Sequence, residues 1–184
     1  MCIRDRCLDW EAEALKAESH GLRVVLFRIG MVLDRDGAAL RQLLIPTEFG
    51  GGATFGKGDQ YMSWITRDDI VGLIGHIIQT PTLSGPVNGV APKPITNKVF
   101  TKAVAKALYR PTLVQIPKFV MRALGGLGQE ILLADQRVIP QIAIETGYLF
   151  KDPEIEAAML QQLRAQRRGQ SAPNMLPNVV LKEA

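Results

Sequence analysis

The chain has 184 residues, of which 47% are hydrophobic, and this is enough apolar material for a globular core rather than a disordered segment. Its net charge of +4 comes from 22 basic residues against 18 acidic ones, and only 6% of residues are aromatic, so the composition argues against nucleic-acid binding. No apolar run approaches the ~20 residues of a membrane-spanning helix. Two cysteines, Cys2 and Cys7, are too few for a disulfide framework, so we expect a soluble protein of the reducing cytoplasm.

The chain begins with residues 1–6, which carry no helix cap, turn signal or hydrophobic period, and we interpret them as the scar of a truncation or of sequence assembly. From Leu8 to Ser19 the apolar residues share one helical face, and Gly21 follows as a residue suited to the left-handed position after a helix. The run Leu22–Ile29 is nearly all apolar, which is typical of a strand buried on both faces of a parallel sheet. This order predicts half of a β-α-β unit.

A glycine-rich stretch separates this unit from the next. Asp34–Gly37 predicts a turn, a short helix follows over Ala38–Leu44, and Phe49–Asp59 contains five glycines, so we expect a loop there. The next predicted elements are a short strand over Tyr61–Ile65 and a helix over Asp68–Gln79. The two aspartates at the start of this helix suit the positive end of its dipole.

The second half of the chain is predicted to alternate short extended segments with helices. Thr96 is a favourable N-cap for a helix over Asn97–Leu108, whose apolar residues form one stripe. The other predicted elements are strands at 87–90 and 113–116, a mobile loop at 91–94, an extended piece at 147–150, and helices at 117–124, 129–145 and 153–167. We expect the helix at 129–145 to be bent or interrupted near Pro140. Residues 169–184 offer few anchors for a core, so we expect a loose tail.

Three blocks of sequence, taken together, resemble one protein family. The blocks are DWEAEA at 9–14 with LFRIGMVL at 26–33, then GKGDQYMSWITRDDI at 56–70, and finally GPVN at 85–88 with QRV at 136–138 and Pro140. They resemble the nucleotide-sugar-epimerase-like proteins, which are atypical extended short-chain dehydrogenase/reductases often called epimerase family proteins. The resemblance covers about residues 7–160.

The resemblance implies an α/β fold. Residues 7–110 would be the C-terminal portion of a Rossmann-like doubly wound sheet, and 111–168 a small, mostly helical domain of unknown function, followed by the tail at 169–184. Ligands of such sheets bind in the crevice at the carboxyl ends of the strands.

The resemblance also implies that the intact protein is an NAD(P)-dependent oxidoreductase or epimerase-type enzyme acting on a small-molecule substrate of nucleotide-sugar type. Family members hold NAD or NADP with a glycine-rich loop near their N-terminus, and no such loop occurs in this sequence. We therefore expect the 184-residue chain by itself neither to hold a dinucleotide tightly nor to catalyse a reaction.

Extended reductases carry a Tyr-x-x-x-Lys-x-x-x-Glu helix, in which the lysine lowers the pKa of the tyrosine for proton transfer. If Glu11 matches the closing glutamate, Cys7 and Ile3 stand at the lysine and tyrosine places, and neither can do that chemistry. The sequence therefore predicts no catalytic residue. For the same reason an alternative function stays open, namely a non-catalytic ligand-binding or interaction module on the same fold.

The resemblance places the end of the first strand at the cofactor crevice, and the predicted cofactor-binding residues are Arg28, Gly30 and Met31. An arginine at this position can equally be structural, with its charge paired to a carboxylate. Both interpretations of Arg28 stay open on the sequence alone.

Six residues in the two loops and the short strand are predicted to bind substrate: Gly56, Lys57, Gly58, Gln60, Trp64 and Asn88. The Gly-Lys-Gly sequence can wrap a phosphate, because glycine permits close backbone approach and lysine adds positive charge. A mobile surface loop has the same composition, and a tryptophan in a short strand commonly packs in a core.

Other residues of types that serve in catalysis or metal binding have simpler explanations. Asp68 and Asp69 form a carboxylate pair, but at the start of a helix such residues typically cap it. His20 and His76 lie on predicted helices, and their spacing to the cysteines does not suit a zinc site. Ser63 lies outside any Gly-x-Ser-x-Gly sequence, which argues against a hydrolase.

Overall fold

The structure, a computed structural model, describes residues 3–34, 36–37, 40–41, 44, 53–111, 114–116 and 135–167. Several predictions concern residues outside these ranges: the helix at 117–124, the tail at 169–184, and parts of the elements at 38–44, 49–59 and 129–145.

Eight strands and five α-helices have described bounds. The strands are β1 (Val25–Ile29), β2 (Met31–Leu33), β3 (Ala53–Phe55), β4 (Tyr61–Met62), β5 (Trp64–Thr66), β6 (Gly85–Gly89), β7 (Ile95–Thr96) and β8 (Val114–Ile116). The helices are α1 (Ile3–Leu15), α2 (Arg67–Gln79), α3 (Asn97–Leu108), α4 (Gln141–Glu145) and α5 (Ile155–Arg167), with a 3-10 helix, Lys16–His20, directly after α1.

The described strands pair two by two, and three of these four pairs are parallel. β1 pairs with β6, β2 with β5 and β3 with β8, while β4 and β7 are antiparallel. Parallel neighbours need a crossover connection, and the connection from β1 to β6 contains α2. The order of elements is that of an α/β protein.

β5 lies between two hydrophobic cores, because successive side chains of a strand point to opposite faces. Trp64 packs into the first core and Ile65 into the second. The buried members of the first core are Leu33, Leu40, Leu44, Met62, Trp64, Ala91, Phe100, Ala103, Val104, Ile155, Ala158, Met159 and Leu163. Those of the second core are Ile65, Ile70, Leu73, Ile77, Leu83, Val87 and Ala143.

Helices α2 and α3 each begin at a threonine N-cap. The Oγ1 atom of Thr66 accepts a hydrogen bond from the N–H of Asp69, and that of Thr96 accepts one from the N–H of Val99. Such a bond satisfies one of the N–H groups that the start of a helix leaves unpaired. The predicted cap at Thr96 is confirmed, whereas α2 is capped by Thr66 and not by the aspartates.

The N-terminal helix differs from its prediction in its bounds. α1 begins at Ile3, inside residues 1–6 and before the predicted start at Leu8, and it continues directly into the 3-10 helix. Gly21 ends that helix in the left-handed conformation at φ 76°, and its N–H bonds the carbonyl groups of Ala17 and Glu18. This glycine cap was predicted and is confirmed.

Three short strands, and the lack of helix at residues 135–140, were not predicted. β2, β3 and β7 pair with strands distant in the sequence, so no local pattern marks them. Residues 135–140 form neither helix nor strand, whereas a helix bent or interrupted near Pro140 was predicted over 129–145, and of that prediction only α4 is a described helix. The reason is that residues 135–140 direct their hydrogen bonds to distant strands.

Candidate functional site

A groove of about 1060 Å³ runs between α1 and β1. It is lined by Arg4, Cys7, Leu8, Trp10 and Glu11 on one side, by Val25, Leu26, Phe27, Arg28 and Ile29 on the other, and by Gln136. The lining combines apolar side chains with a few charged and amide groups, as is usual for ligand-binding clefts.

Arg28 and Glu11 form a bidentate ion pair across this groove. Nε of Arg28 donates to Oε1 of Glu11 at 2.7 Å, and Nη2 donates to Oε2 at 2.6 Å. Hydrogen bonding to Arg28 lowers the pKa of Glu11, and the same bonds raise the pKa of Arg28. The structural role that the sequence left open for Arg28 is therefore present. The side chain still lines the groove and keeps 52% of its surface exposed.

The predicted cofactor and substrate residues are neighbours in two parallel ladders. Arg28 lies opposite Asn88 in the β1–β6 pair, and Met31 lies opposite Trp64 in the β2–β5 pair. Gly30 is the single residue between β1 and β2. The structure therefore brings these five residues together near the carboxyl ends of β1 and β6.

Gly30 is required for the close approach of three segments. Its N–H donates to the carbonyl of Gly89 at 3.0 Å. A Cβ atom at this position would lie 2.8 Å from Cγ1 of Val90 and 2.9 Å from the carbonyl oxygen of Ser63. Packing alone therefore explains the glycine, and its predicted contact with a cofactor stays a prediction.

The Gly-Lys-Gly loop caps α3. Gly56 and Gly58 are buried, both with positive φ, and Lys57 is exposed. The carbonyl of Gly58 accepts the N–H of Lys98 at 2.9 Å, and the carbonyl of Gln60 accepts the N–H of Asn97 at 2.9 Å. These first N–H groups of α3 are therefore engaged, so a phosphate in this loop would have to rely on Lys57 and the loop's own backbone.

Gln60 and Trp64 are both buried, with 6% and 1% of their surface exposed. Trp64 packs in the first core, which agrees with the packing role that the sequence left open. Its indole Nε1 has no hydrogen-bond partner among the described residues. A ligand contact by either residue stays a prediction.

Residues 135–140 lie across the ends of the strands that carry the predicted site, and we call them the strap. The Ser63 hydroxyl donates to the carbonyl of Gln136 at 2.8 Å and accepts from the N–H of Val138 at 3.3 Å. Asn88 Nδ2 donates to the carbonyl of Ile139 at 3.2 Å. No sequence pattern predicted this arrangement, because every contact joins residues far apart in the chain.

A second polar cluster lies beneath the start of α2. The carboxylate of Asp69 is fully buried and accepts the N–H groups of Lys151 at 2.8 Å and Asp152 at 3.0 Å. The Tyr148 hydroxyl donates to the carbonyl of Asp69 at 2.9 Å. Asp69 therefore holds the segment before α5 and is not an exposed acid–base group. The T-x-x-D spacing at Thr66 was the available sequence signal.

The two histidines lie on helices, as predicted. Nε2 of His76 lies 3.0 Å from the Thr146 hydroxyl, and its ring lies 5.6 Å from the Tyr148 ring. Within the described ranges, no group of three or more His, Cys, Asp or Glu residues is arranged to hold a metal ion. None of the described helices has the length and apolar character that crossing a membrane requires.

Comparison with proteins of known sequence gives the family context. Residues 116–162 match a family described as Domain of unknown function (DUF1731). The epimerase family protein Mb2239 of Mycobacterium bovis is 42% identical over 154 residues, which are 83% of this chain and 51% of that protein.

Solved structures point the same way. The human epimerase family protein SDR39U1, solved with NADPH, is 35% identical with a TM-score of 0.72, over 77% of this chain and 48% of that chain. The nucleoside-diphosphate sugar epimerase from Corynebacterium glutamicum is 29% identical with a TM-score of 0.67, over 91% of this chain and 34% of that chain.

The chain is related to the epimerase family proteins. The resemblance seen in the sequence is thereby confirmed, and so is the predicted fold class, a portion of a Rossmann-like α/β fold with a helical appendage. The chain spans about half the length of the curated relatives it matches. The strap belongs to the part that matches the domain of unknown function.

Proposed function

We propose that the intact protein is an NAD(P)-dependent oxidoreductase or epimerase-type enzyme that acts on a small molecule of nucleotide-sugar type. The observation that carries the proposal is the similarity to the human epimerase family protein that was solved with NADPH. The similarity covers 77% of this chain.

The residues beside β1 fit one end of a nicotinamide dinucleotide. The groove offers the apolar residue Leu26, on the same face of β1 as Arg28, for a flat ring, and the guanidinium of Arg28 and the amide of Gln136 for polar substituents. A bound nicotinamide would supply hydride transfer. Arg28 is held in place for such a role by Glu11, because a bidentate ion pair fixes the guanidinium plane.

The substrate would lie against the carboxyl ends of the parallel strands. Asn88 points an amide donor at this position, where its present partner is the carbonyl of Ile139. Lys57 is the exposed cation of the Gly-Lys-Gly loop and is suited to a phosphate oxygen. Gln60, which follows this loop, and Trp64 in β5 are buried, and they would contact the substrate from the protein interior.

NADPH fluorescence titration tests the cofactor part of this proposal. The sample is the product of the longest open reading frame that contains the 184 residues, and we expect saturable binding. Arg28→Ala should weaken binding about tenfold, the effect of losing a charge-assisted contact of about 1.4 kcal/mol. Arg67→Ala is the matched control, since Arg67 pairs with Asp34 outside the lining of the groove. Titration without saturation would contradict the proposal.

A non-catalytic ligand-binding module on the same fold is the second candidate. The feature in its favour is that, if Glu11 matches the closing glutamate of the extended-reductase helix, Cys7 and Ile3 stand at the places of its lysine and tyrosine. The two candidates differ in one readout: a protein that binds NADPH saturably but never oxidises it in the presence of any nucleotide sugar, and never epimerises the sugar, would be a binding module.

A further inference from the structure

The strap closes over the place where Arg28 and Asn88 lie side by side in the β1–β6 ladder. Gln136, in the strap, is also the only lining residue of the groove that comes from neither α1 nor β1 among those the structure describes. One short segment of the domain of unknown function therefore borders both the groove and the strand ends. A ligand that binds Asn88 therefore has to displace or contact the strap.

Within the described ranges, residues 135–139 of the strap are held mainly by polar contacts. Besides the bonds to Ser63 and Asn88, the N–H of Tyr61 donates to Oδ1 of Asp135 at 2.8 Å, and the guanidinium of Arg137 lies 5.4 Å from the centre of the Tyr61 ring. The first three strap residues are exposed. Segments with few buried apolar contacts and exposed hydrogen bonds open at low free energy.

The far end of the strap is anchored differently. Pro140 is buried at the N-cap position of α4, and its carbonyl accepts the N–H of Ile144 within that helix. Because α4 packs against β6 and Ala143 lies in the second core, this end is fixed, while the contacts of residues 135–139 with other described residues are mainly polar. The arrangement is that of a flap with one fixed end.

We propose that the strap is a releasable cover of the substrate site, with Ser63 as its latch. When the strap opens, Asn88 exchanges the carbonyl of Ile139 for an acceptor oxygen of the ligand, and the Ser63 hydroxyl is freed in the same step. The identity of that ligand rests on the proposed function, whereas the opening of the strap does not. The chemistry at Asn88 calls for a hydroxyl, carbonyl or phosphate oxygen.

A cover that moves as one unit predicts that its contacts break together, and amide hydrogen exchange measured by NMR on the 184-residue chain tests this. The reporters are the N–H groups of Val138 and Tyr61, which are bonded to Ser63 and Asp135. Asn88→Ala removes neither acceptor, so any change at the two reporters comes from opening. We expect both to exchange about five- to tenfold faster, the effect of losing one hydrogen bond.

Two further variants separate opening from unfolding. Ser63→Ala should accelerate exchange at Tyr61, whose acceptor it leaves intact. Ser84→Ala, at an exposed serine directly before β6, should change neither reporter. The exchange rate of the Leu73 N–H in α2 should stay unchanged in all three variants. Unchanged rates at Tyr61 and Val138 in Asn88→Ala, or equal acceleration at Leu73, would overturn the proposal. Failure of NADPH binding would contradict the proposed function and leave these rates as they are.

Discussion

Asp152 is a buried acidic residue, and one of its carboxylate oxygens lacks a hydrogen-bond partner among the described residues. Its side chain is 6% exposed, and that oxygen is Oδ2. Burial, above all, raises the pKa of Asp152, and the negative charges of Asp69 and Asp68 raise it further. The Thr66 hydroxyl and the charge of Lys151 act in the opposite direction. The neighbouring Asp69 differs because two backbone N–H groups satisfy its carboxylate.

This environment predicts that Asp152 lowers stability at neutral pH. An acid whose pKa is higher in the folded than in the unfolded state binds its proton more tightly when folded. Its contribution is therefore favourable at low pH and is lost as pH rises from about 3.8 through the folded pKa. Asp152→Asn should raise the free energy of unfolding at pH 7 by about 1 kcal/mol, and the gain should shrink towards pH 4.

Urea denaturation at several pH values checks this prediction. Asp59→Asn is the control, because it removes the same charge from an exposed position. It should change the free energy of unfolding by less than about 0.5 kcal/mol at every pH. Should Asp152→Asn destabilise the chain at pH 7, the carboxylate would be making a favourable contact there, and the assignment would be wrong.

At the scale of elements, the segment before α5 docks on α2 through one aromatic side chain. The Tyr148 ring packs against His76 and, edge to face at 4.9 Å, against Phe150. Its hydroxyl reaches the carbonyl of Asp69 over Gly72, where a Cβ atom would run into that hydroxyl oxygen. Burial, chiefly, raises the pKa of Tyr148, so the hydroxyl stays a hydrogen-bond donor at neutral pH.

Two glycines of α2 should therefore respond oppositely to alanine. A glycine inside a helix is normally about 1 kcal/mol less favourable than alanine. Gly75 has no atom within 4 Å of its would-be Cβ, so Gly75→Ala should stabilise the chain by about that amount. Gly72→Ala should instead cost about 1–2 kcal/mol, because the methyl group displaces Tyr148. Thermal and urea unfolding of the two variants measure the difference.

A double-mutant cycle identifies the cause. Tyr148→Phe by itself should cost about 1 kcal/mol, the value of a typical hydrogen bond. In that background the oxygen is gone, and the nearest ring carbon is 3.4 Å from the new methyl group, an ordinary contact. Gly72→Ala should then become neutral or stabilising. A cost that persists without the hydroxyl would mean that another contact of Gly72 is responsible.

The elements that the sequence predicted well are those whose determinants are local. α3 was predicted over its observed bounds because Thr96 caps it and its apolar stripe has a helical period. The strap was predicted as helix because Gln136, Arg137 and Ile139 are ordinary helix residues by local criteria. Its hydrogen bonds go to Ser63 and to other residues more than fifty positions away, which no periodicity reveals.

The candidate site shows the same division. The sequence identified Arg28 and Asn88 separately, and only the β1–β6 register makes them neighbours. The partner of Arg28 could be foreseen as a carboxylate but not as Glu11. Gly30 was interpreted through a ligand, whereas the structure explains it by the approach of Val90 and Ser63. Apart from the glycine itself, a single sequence contains no pattern that indicates such close backbone packing.

At the scale of the whole molecule, β1 has one paired and one open edge. Within the described ranges it pairs with β6 alone, so the other edge presents unpaired backbone groups to the groove. The apolar side chains around that edge are unusually exposed: Leu8 at 53%, Trp10 at 65% and Ile29 at 52%. An open strand edge next to exposed apolar residues is a site of association with further strands.

We therefore expect the 184-residue chain to self-associate through the open edge of β1. Sedimentation velocity should show a weight-average sedimentation coefficient that rises with protein concentration. Ile29→Lys should reduce this rise, because a charge on an edge strand opposes the pairing of a second strand. Ile78→Lys is the matched control: Ile78 is 66% exposed but lies on α2, not on β1. If both lysine variants reduce association equally, exposed apolar surface in general drives it, and the open edge of β1 has no special part.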